Sequence, residues 1–278
     1  MRTANMPAIP QLSEPAFRGF TRLMHETAGL SFPDTKLPLI NSRLAPRLQQ
    51  LGLARFEDYL DLISRPNDGG ELQVAVDLLT TNETYFFREP AHYELLAEEL
   101  ARRRLPSVSA WSAASSFGDE AYSTAMLLAD LAAQGRIGPS WQVLGTDISD
   151  RVLRSAVQAI FPEDRLRHVT MEQRRRHCLV GEGASAGLVQ MHPRLTERVS
   201  FGQLNLCRPI EDIGPFDVIF LRNVLIYFDT ATKREVVDRV LTQLRPGGLF
   251  FIGIAEGRVA CNTPLTPLAP GAFIKGQA

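Results

Sequence analysis

The 278-residue chain, 45% apolar and 22% charged, has the composition of a globular protein of one or two domains. Its formal net charge of −1 argues against a general nucleic-acid binder, whose binding domain would be strongly basic. No stretch approaches the roughly 20 consecutive apolar residues of a membrane-spanning helix, so no membrane insertion is expected. The 3 widely spaced cysteines and 5 histidines indicate a reducing cytoplasm and predict neither disulfides nor a metal site.

The N-terminal part, numbered 12–90, is predicted to form an all-helical domain. Apolar residues recur there every three or four positions, which is the spacing of one helix face. The clearest stretches are 17–24, 40–51 and 56–63. Pro46 lies inside the second stretch and is expected to kink that helix or to split it into two. Pro90, in contrast, suits the first turn of the helix that follows it.

The remainder, numbered 91–278, alternates between apolar strands and amphipathic helices, which predicts an α/β fold with a Rossmann-like parallel sheet covered on both faces. The predicted strands are VSAWSAA, WQVLGTDIS, FDVIFLRNVLIYF, GGLFFIGIAEG and GAFIKG, and the helices include DEAYSTAMLLADLAA, DRVLRSAVQAI and TATKREVVDRVLTQL. The stretch 161–200 interrupts this alternation. Its short β runs HCLV and GLVQM flank a glycine-rich turn, which predicts a small inserted β-subdomain containing a hairpin.

Two features follow the first two predicted strands, where a parallel sheet binds its ligands. The loop 113–118 is made of small residues and ends in Gly118, so the backbone can approach a ligand closely, although such a loop is also ordinary packing. The loop lacks the GxGxxG motif of dinucleotide-binding loops, which argues against a dinucleotide as the ligand. Asp147 ends the second strand, where a carboxylate can accept hydrogen bonds from both hydroxyls of a ribose. The alternative for Asp147 is a helix N-cap.

Further polar residues stand beside or inside later predicted strands. Asn205 follows a β-like run and could either bind the edge of an adenine or form a turn. Arg222 and Asn223 interrupt the third apolar strand. Polar groups in such a strand need partners, which favours a binding site over a structural role.

Several motifs occur in one order along the chain: TTNETYFFREP, WSAASSFGDEAYSTAM, LGTDIS, LNL, FLRNVLIYFD and PGGLFFIGIAEG. In this combination the chain closely resembles the CheR family of chemotaxis receptor methyltransferases, over about residues 15–275. The resemblance implies an all-helical domain followed by a class I S-adenosylmethionine-dependent methyltransferase domain with an inserted β-subdomain. It also implies methylation of glutamate side chains on chemoreceptors (methyl-accepting chemotaxis proteins), forming methyl esters for chemosensory adaptation.

The resemblance implies a set of contacts to S-adenosylmethionine or its product S-adenosylhomocysteine. Asn82, Thr84 and Arg88 would reach across to the cofactor or its methyl region. Glu120 would hold the methionyl ammonium or lie close to it, and Asp147 would bind the ribose.

The remaining implied contacts come from the later motifs. Asn205 and Leu206 would frame the adenine, and Arg222 and Asn223 would close the site beneath the methionine part.

The chain departs from the family at Ala121, where the family usually has proline. The missing proline loosens the start of the helix, but the neighbouring glutamate is kept.

Arg88 and Tyr227 are the candidate catalytic residues. A glutamate carboxylate has an unperturbed pKa of about 4.3 and is ionised at pH 7, so methyl transfer to it needs no general base. Arg88 could fork onto this carboxylate and fix its plane, and Tyr227 could donate one hydrogen bond to it. The alternatives are a surface salt bridge of Arg88 with Glu89 or Glu94, and a purely packing role for Tyr227.

Receptor docking is expected at the helical domain. The stretch 18–55 has six basic residues and two acidic ones, and Arg43 and Arg47 share a helix face unless Pro46 disturbs it. The positive charge of such a face would steer an acidic receptor helix towards the protein. The alternative is that these charges are only solvated at the surface. The β-subdomain could add a receptor C-terminal peptide as an extra strand, or only cover the sheet.

Three other functions compete with this hypothesis. The first is a methyltransferase acting on a small molecule or nucleic acid, against which the near-neutral charge and the lack of an aromatic-rich basic groove weigh. The second is a non-catalytic sensor of S-adenosylmethionine, which the intact set of candidate site residues disfavours. The third is a nucleotide-dependent dehydrogenase, which the absent GxGxxG disfavours.

Overall fold

The computed structural model describes residues 11–257 and 260–276. The chain divides into two compact units, numbered 1–81 and 82–278. The stretch 82–90, which the sequence analysis groups with the helical domain, is therefore part of the second unit. None of the helices in the described ranges is long and apolar enough to span a bilayer.

The first unit is all-helical. It contains α1 (Glu14–Ala28), α2 (Leu37–Leu51), α3 (Phe56–Ile63) and α4 (Glu71–Leu79). Ser13 caps α1 by accepting a hydrogen bond from the backbone N–H of Ala16. The predicted apolar stripes face inward, and their members Phe20, Met24, Leu48 and Phe56 are completely buried.

Helix α2 runs without interruption through Pro46, so of the two predicted alternatives the split into two helices is wrong and a kink stays a prediction. The proline removes one backbone hydrogen bond, which costs about 3 kcal/mol in a helix interior. Ile40 and Leu44 before it and Leu48 after it are all fully buried. Burial on both sides of Pro46 offsets the lost hydrogen bond and keeps the two halves in one helix.

Arg47 forms a buried polar cluster with Glu71 and Tyr59 in the helical unit. Its Nε and Nη2 atoms each donate to one carboxylate oxygen of Glu71, both at 2.7 Å. The Tyr59 hydroxyl donates to the same carboxylate at 2.9 Å. The hydrogen bonds from Arg47 are the main reason why the pKa of Glu71 lies below its ordinary value, and burial raises the pKa of Tyr59.

Glu71→Gln is expected to destabilise the helical unit by about 2 kcal/mol, since hydrogen bonds to a charged group are lost. The pKa of Glu71 is lowered by folding, so its contribution is present above the ordinary value of 4.5 and is lost as the pH falls through the folded pKa. Hydrogen exchange of peptides from α2 and α4 at pH 7 and at a series of pH values below 4.5 would measure this. Equal protection of wild type and variant at pH 7 would contradict it.

The second unit is an α/β fold. Before its insertion it contains α5 (Pro90–Arg103), β1 (Ser107–Ser112), α6 (Asp119–Ala133), β2 (Ser140–Asp147) and α7 (Asp150–Gln158). The insertion contains β3 (Ile160–Pro162), α8 (Met171–His177), β4 (Cys178–Val180), β5 (Leu188–Met191) and α9 (Pro193–Thr196). The chain continues with β6 (Val199–Gln203), β7 (Phe216–Leu221), α10 (Thr230–Thr242), β8 (Leu244–Ile252), β9 (Leu265–Ala269) and β10 (Ala272–Lys275).

The main sheet has 7 strands in the order β6-β2-β1-β7-β8-β10-β9. The neighbours from β6 to β8 are parallel, whereas β10 runs antiparallel to β8 and β9. Buried residues of α5 and α6 pack on one face of this sheet and those of α10 on the other. The predicted parallel sheet with helices on both faces is confirmed, and the antiparallel pair at its edge was not predicted.

The insertion forms a separate 3-stranded antiparallel sheet in the order β3-β5-β4. Cys178 pairs with Met191 and Val180 with Val189, so the predicted hairpin is confirmed. Strand β3 adds a third member that the sequence analysis missed. Its three residues, ending in Pro162, are too short to show an alternating pattern.

Candidate functional site

The candidate site lies where parallel strands of the second unit end. After β1 the chain forms β2 and then β6 on one side, and it resumes with β7 on the other side of β1. The strand order therefore reverses between β1 and β7. In open α/β sheets, ligands bind in the crevice beyond the carboxyl ends of the strands at such a reversal.

The loop after β1 is held in a shape that only some residues adopt. Ser116 has a φ of 51° and Gly118 a φ of 92°, both in the left-handed region. A side chain at Gly118 would also meet the Cβ of Ala156 and the ring of Phe201 at 3.0 Å. The Ser116 hydroxyl donates to the carbonyl oxygen of Asn82 at 3.0 Å, so this loop contacts the first part of the motif TTNETYFFREP.

Asp147 stands at the end of β2 and is buried. Its Oδ2 accepts the backbone N–H of Ser116 at 2.9 Å, and its Oδ1 accepts that of Ser149 at 3.0 Å. The N-cap of α7 is Ser149, so the alternative of Asp147 as the N-cap is wrong. The Asp147 carboxylate instead lies between the loop after β1 and the end of β2, which is the edge at which a ribose is bound in this fold class.

The centre of the site is a buried arginine between two carboxylates. Arg222 Nη1 lies 3.3 Å from Glu120 Oε2, and its Nη2 lies 3.4 Å from Glu89 Oε2. The Arg222 side chain is 1% exposed and its Nη2 also donates to the carbonyl oxygen of Arg88. Ser112, the last residue of β1, donates to Glu120 Oε1 at 2.7 Å. One guanidinium therefore contacts both carboxylates.

The surroundings of Glu120 shift its pKa above the ordinary value. Burial raises the pKa of its carboxyl group, and the charge of Glu89 adds to that rise. Arg222, the hydrogen bond from Ser112 and the nearby charge of Arg88 oppose it. A cationic ligand group beside Glu120 would relieve the same penalty.

Arg88 belongs to the motif TTNETYFFREP, which precedes α5. Its Nη1 donates to the carbonyl oxygen of Glu83 at 3.0 Å, and its guanidinium lies 5.8 Å from the centre of the Tyr85 ring. Among the residues that the structure describes, no carboxylate forms an ion pair with Arg88, so the expected alternative of a salt bridge with Glu89 or Glu94 is absent there. Thr84 is half-buried in the same extended segment.

Asn205 and Leu206 follow β6. Asn205 Oδ1 accepts the backbone N–H of Cys207 at 2.9 Å, and its carbonyl oxygen accepts that of Arg208 at 3.0 Å. Asn205 therefore forms the turn that the sequence analysis gave as one alternative. Leu206 is buried, and its carbonyl oxygen accepts a hydrogen bond from Arg239 at 2.5 Å. Contact of either residue with an adenine stays a prediction.

The strand β7 ends at Leu221, so the prediction that Arg222, Asn223 and Tyr227 belong to a long third strand is wrong. Asn223 has a φ of 58°, which breaks the extended chain. Tyr227 closes a short 3-10 helix, Leu225–Tyr227. The apolar composition of this stretch resembles a strand, and its turn is imposed by contacts with residues distant in the sequence.

Two acidic residues of the site were missed in the sequence analysis. Glu89 accepts hydrogen bonds from the Asn223 side chain and the Ile254 backbone, each at 3.3 Å. Glu256 accepts hydrogen bonds from the backbone N–H groups of Asn223, Leu225 and Gly253. Neither has a local sequence signal, because their partners lie more than 30 residues away or are backbone groups.

The two predicted receptor-binding residues lie in the other unit. Arg43 donates to the carbonyl oxygens of Leu79 and Thr80 at 2.9 and 3.1 Å and to the Thr81 hydroxyl at 3.0 Å. Arg47 is paired with Glu71, as described above. Both guanidinium groups therefore bind groups of the helical unit itself, and receptor contact by either residue stays a prediction.

These residues fit S-adenosylmethionine, which presents an ammonium, a sulfonium, ribose hydroxyls and an adenine. The mostly buried Glu120 carboxylate suits a cationic group, and Asp147 suits a pair of hydroxyls. The Oγ atom of Ser115, in the loop after β1, is buried and has no hydrogen-bond partner in the described ranges. An unpaired polar atom at that place fits a polar ligand.

The fold and this set of side chains define a class I S-adenosylmethionine-dependent methyltransferase. Comparison with protein families gives the narrower class. Residues 82–266 match the model described as "CheR methyltransferase, SAM binding domain", and residues 15–80 match "CheR methyltransferase, all-alpha domain". The chain belongs to the CheR methyltransferase family, and S-adenosylmethionine is its cofactor.

Characterised relatives support the same family over most of the chain. It is 42% identical to the chemotaxis protein methyltransferase of Escherichia coli (strain K12), covering 88% of this chain and 85% of that protein. It is 39% identical to chemotaxis protein methyltransferase 2 of Pseudomonas aeruginosa, covering 87% and 86%. The dehydrogenase alternative is therefore excluded.

Proposed function

We propose that this protein transfers methyl groups from S-adenosylmethionine to glutamate side chains of chemoreceptors, forming methyl esters for chemosensory adaptation. The observation that carries the proposal is the placement of Arg88. Its Nη1 donates to the carbonyl oxygen of Glu83, and its guanidinium forms no ion pair with a carboxylate of the described residues. A substrate carboxylate would complete this arrangement.

The chain's residues divide into those that hold the donor and those that orient the acceptor. Asn82, Thr84, Asn205, Leu206 and Asn223 are proposed to surround the donor. S-adenosylmethionine would supply a methyl group on a sulfonium. An ionised carboxylate oxygen would bond to that methyl carbon in line as the carbon–sulfur bond breaks and S-adenosylhomocysteine leaves. Correct placement of two reactants is worth roughly 7–11 kcal/mol of the barrier, so positioning is the main task of the protein.

Glu120, Asp147 and Arg222 form the charged part of the donor site. Glu120 is proposed to face the methionyl ammonium, Asp147 the ribose and Arg222 the methionine part. Arg88 is proposed to fork onto the acceptor carboxylate and Tyr227 to donate one hydrogen bond to it. No residue needs to carry a proton, because the acceptor is already ionised at pH 7.

Two surfaces are proposed to bind the receptor. The first is the basic face of the helical unit around Arg43 and Arg47, whose charge would attract an acidic helix. The second is the β-subdomain, where β4 forms an edge of its sheet. Leu179 and Leu188 on this sheet are 46% and 38% exposed, so a receptor C-terminal peptide could add as a strand against an apolar surface.

Incubation with methyl-labelled S-adenosylmethionine and cytoplasmic fragments of chemoreceptors is expected to label the fragments. The label should be released by mild base, because carboxyl methyl esters hydrolyse readily whereas N-methyl groups do not. Alanine in place of the labelled glutamates should remove the signal. Fragments with and without their C-terminal peptide would test the β-subdomain as a tether.

The alternative functions give different results in the same assay. Base-stable label on a small molecule or nucleic acid would indicate another acceptor. Tight binding of S-adenosylhomocysteine without turnover on any fragment would indicate a sensor. Either result would reject the proposed reaction.

A further inference from the structure

The carboxylate of Glu256 joins the loops that follow β7 and β8. Glu256 ends the short 3-10 helix Ile254–Glu256, just after β8. Its Oε2 accepts the backbone N–H of Gly253 at 2.6 Å and that of Asn223 at 3.0 Å. Its Oε1 accepts the backbone N–H of Leu225 at 2.7 Å. One side chain thus satisfies backbone donors of both loops.

The two loops approach so closely that Gly253 has no room for a side chain. A Cβ atom there would lie 2.6 Å from Asn223 Nδ2 and 2.8 Å from Glu256 Oε2. Asn223 also has a φ of 58°, a conformation that is uncommon outside glycine. Hydrogen bonds to the Asn223 backbone from outside its own loop compensate for this conformation.

Glu89 also binds both loops. Its Oε1 accepts from the Asn223 side chain and its Oε2 from the backbone N–H of Ile254, each at 3.3 Å. Asn223 is therefore held through its backbone by Glu256 and through its side chain by Glu89. Burial raises the pKa of Glu256, and its backbone hydrogen bonds oppose that rise.

We infer that Glu256 is a positioning residue for methyl transfer, whose carboxylate clamps the loops after β7 and β8 and so fixes Asn223 and the turn that ends at Tyr227. The inference rests on the proposed function, in which Asn223 contacts the donor and Tyr227 the acceptor. In the structure Glu256 binds the backbone of this loop, so it acts by holding the two residues in place.

Glu256→Gln is the direct test, because glutamine has the same shape but replaces one acceptor oxygen with a donor NH2 group. That NH2 group would face backbone N–H groups, from which it cannot accept a hydrogen bond, so the two loops would separate. We expect kcat on a receptor fragment to fall about 100-fold, as misplacement by about 1 Å can cost that much. The Kd of S-adenosylhomocysteine, measured by calorimetry, should rise about tenfold, since a hydrogen bond to a charged group exceeds 1.4 kcal/mol.

Gly253→Ala provides a second, independent perturbation. Its Cβ atom must separate the same loops while the carboxylate stays intact, so it should lower kcat and weaken binding in the same way. The double variant should be little worse than Glu256→Gln, because both changes break one contact. If Glu256→Gln did not fold, the kcat and Kd of Gly253→Ala alone would decide whether the contact between the loops supports methyl transfer.

Glu99→Gln is the matched structural control. The Glu99 carboxylate is also mostly buried, but it accepts from Arg102 and Arg103 on its own helix. This variant should lower the melting temperature and leave kcat and the Kd unchanged. If wild type is active and both loop variants keep its kcat and Kd, the clamp is disproved. If wild type itself neither binds S-adenosylhomocysteine nor methylates receptor fragments, the proposed function fails.

Discussion

Arg88→Ala is expected to lower kcat for receptor methylation by about 100- to 1000-fold, the usual cost of removing a donor that orients a reacting group. The structure gives the reason. The Arg88 guanidinium donates to the carbonyl oxygen of Glu83 and forms no ion pair with a carboxylate in the described part of the chain, so it can still bind a substrate carboxylate. Binding of S-adenosylhomocysteine should stay measurable, because Glu120 and Asp147 remain. Initial rates on a receptor fragment and calorimetry would give both quantities.

Two further variants show whether the geometry of Arg88 matters and not only its charge. Arg88→Lys keeps the charge but loses the planar fork, so most of the loss in kcat should remain. Arg167→Ala is a matched control, since Arg167 also lies over the Tyr85 ring, at 4.1 Å, and has no proposed role. It should change kcat little. Full activity of Arg88→Ala would show that Arg88 does not orient the acceptor carboxylate.

The sheet of the second unit could be predicted largely from the sequence because its signals are local. The runs ending at Ser112 and Asp147 are apolar enough to be strands, and the structure places them side by side in parallel. The helix DEAYSTAMLLADLAA was predicted with both of its ends, Asp119 and Ala133. Strand β9 was missed because it is short, partly exposed and contains Pro267, which a strand tolerates at a sheet edge.

The site was predictable only where its residues carry recognisable motifs. Asp147 and Glu120 stand next to strand ends and helix starts, so spacing and resemblance could indicate them. Glu89 and Glu256 could not be found in this way. Their partners, Asn223 and Ile254 among them, are brought near by the sheet order, and a carboxylate that binds backbone N–H groups leaves no pattern in the partner's sequence.

The carboxylate of Glu120 explains why a cationic donor suits the site. Arg222 contacts both Glu89 and Glu120, and its guanidinium also lies 5.6 Å from the centres of the Tyr93 and Phe220 rings. The Glu120 side chain is only 14% exposed, so its charged form is penalised. A ligand that brings positive charge beside Glu120 would offset this penalty, whereas a phosphate-bearing dinucleotide would add repulsion.

Asp147→Ala is expected to weaken binding of S-adenosylhomocysteine about 100-fold, because two hydroxyls would lose a charged acceptor and each such hydrogen bond is worth about 1.5–3 kcal/mol. Asp147 also accepts the backbone N–H groups of Ser116 and Ser149, so part of the loss could come from a displaced loop. Asp147→Asn keeps one acceptor oxygen and should lose less affinity. Calorimetry on the three proteins gives the comparison.

A ligand lacking one ribose hydroxyl separates direct contact with the ribose from support of the loop. Wild type should bind the 2′-deoxy form of S-adenosylhomocysteine more weakly than the parent compound, whereas Asp147→Ala should bind the two almost equally. This coupling between residue and hydroxyl arises only if they touch. If the variant discriminated between the two ligands as strongly as wild type does, Asp147 would act by shaping the loop around Ser116, and the ribose would have another partner.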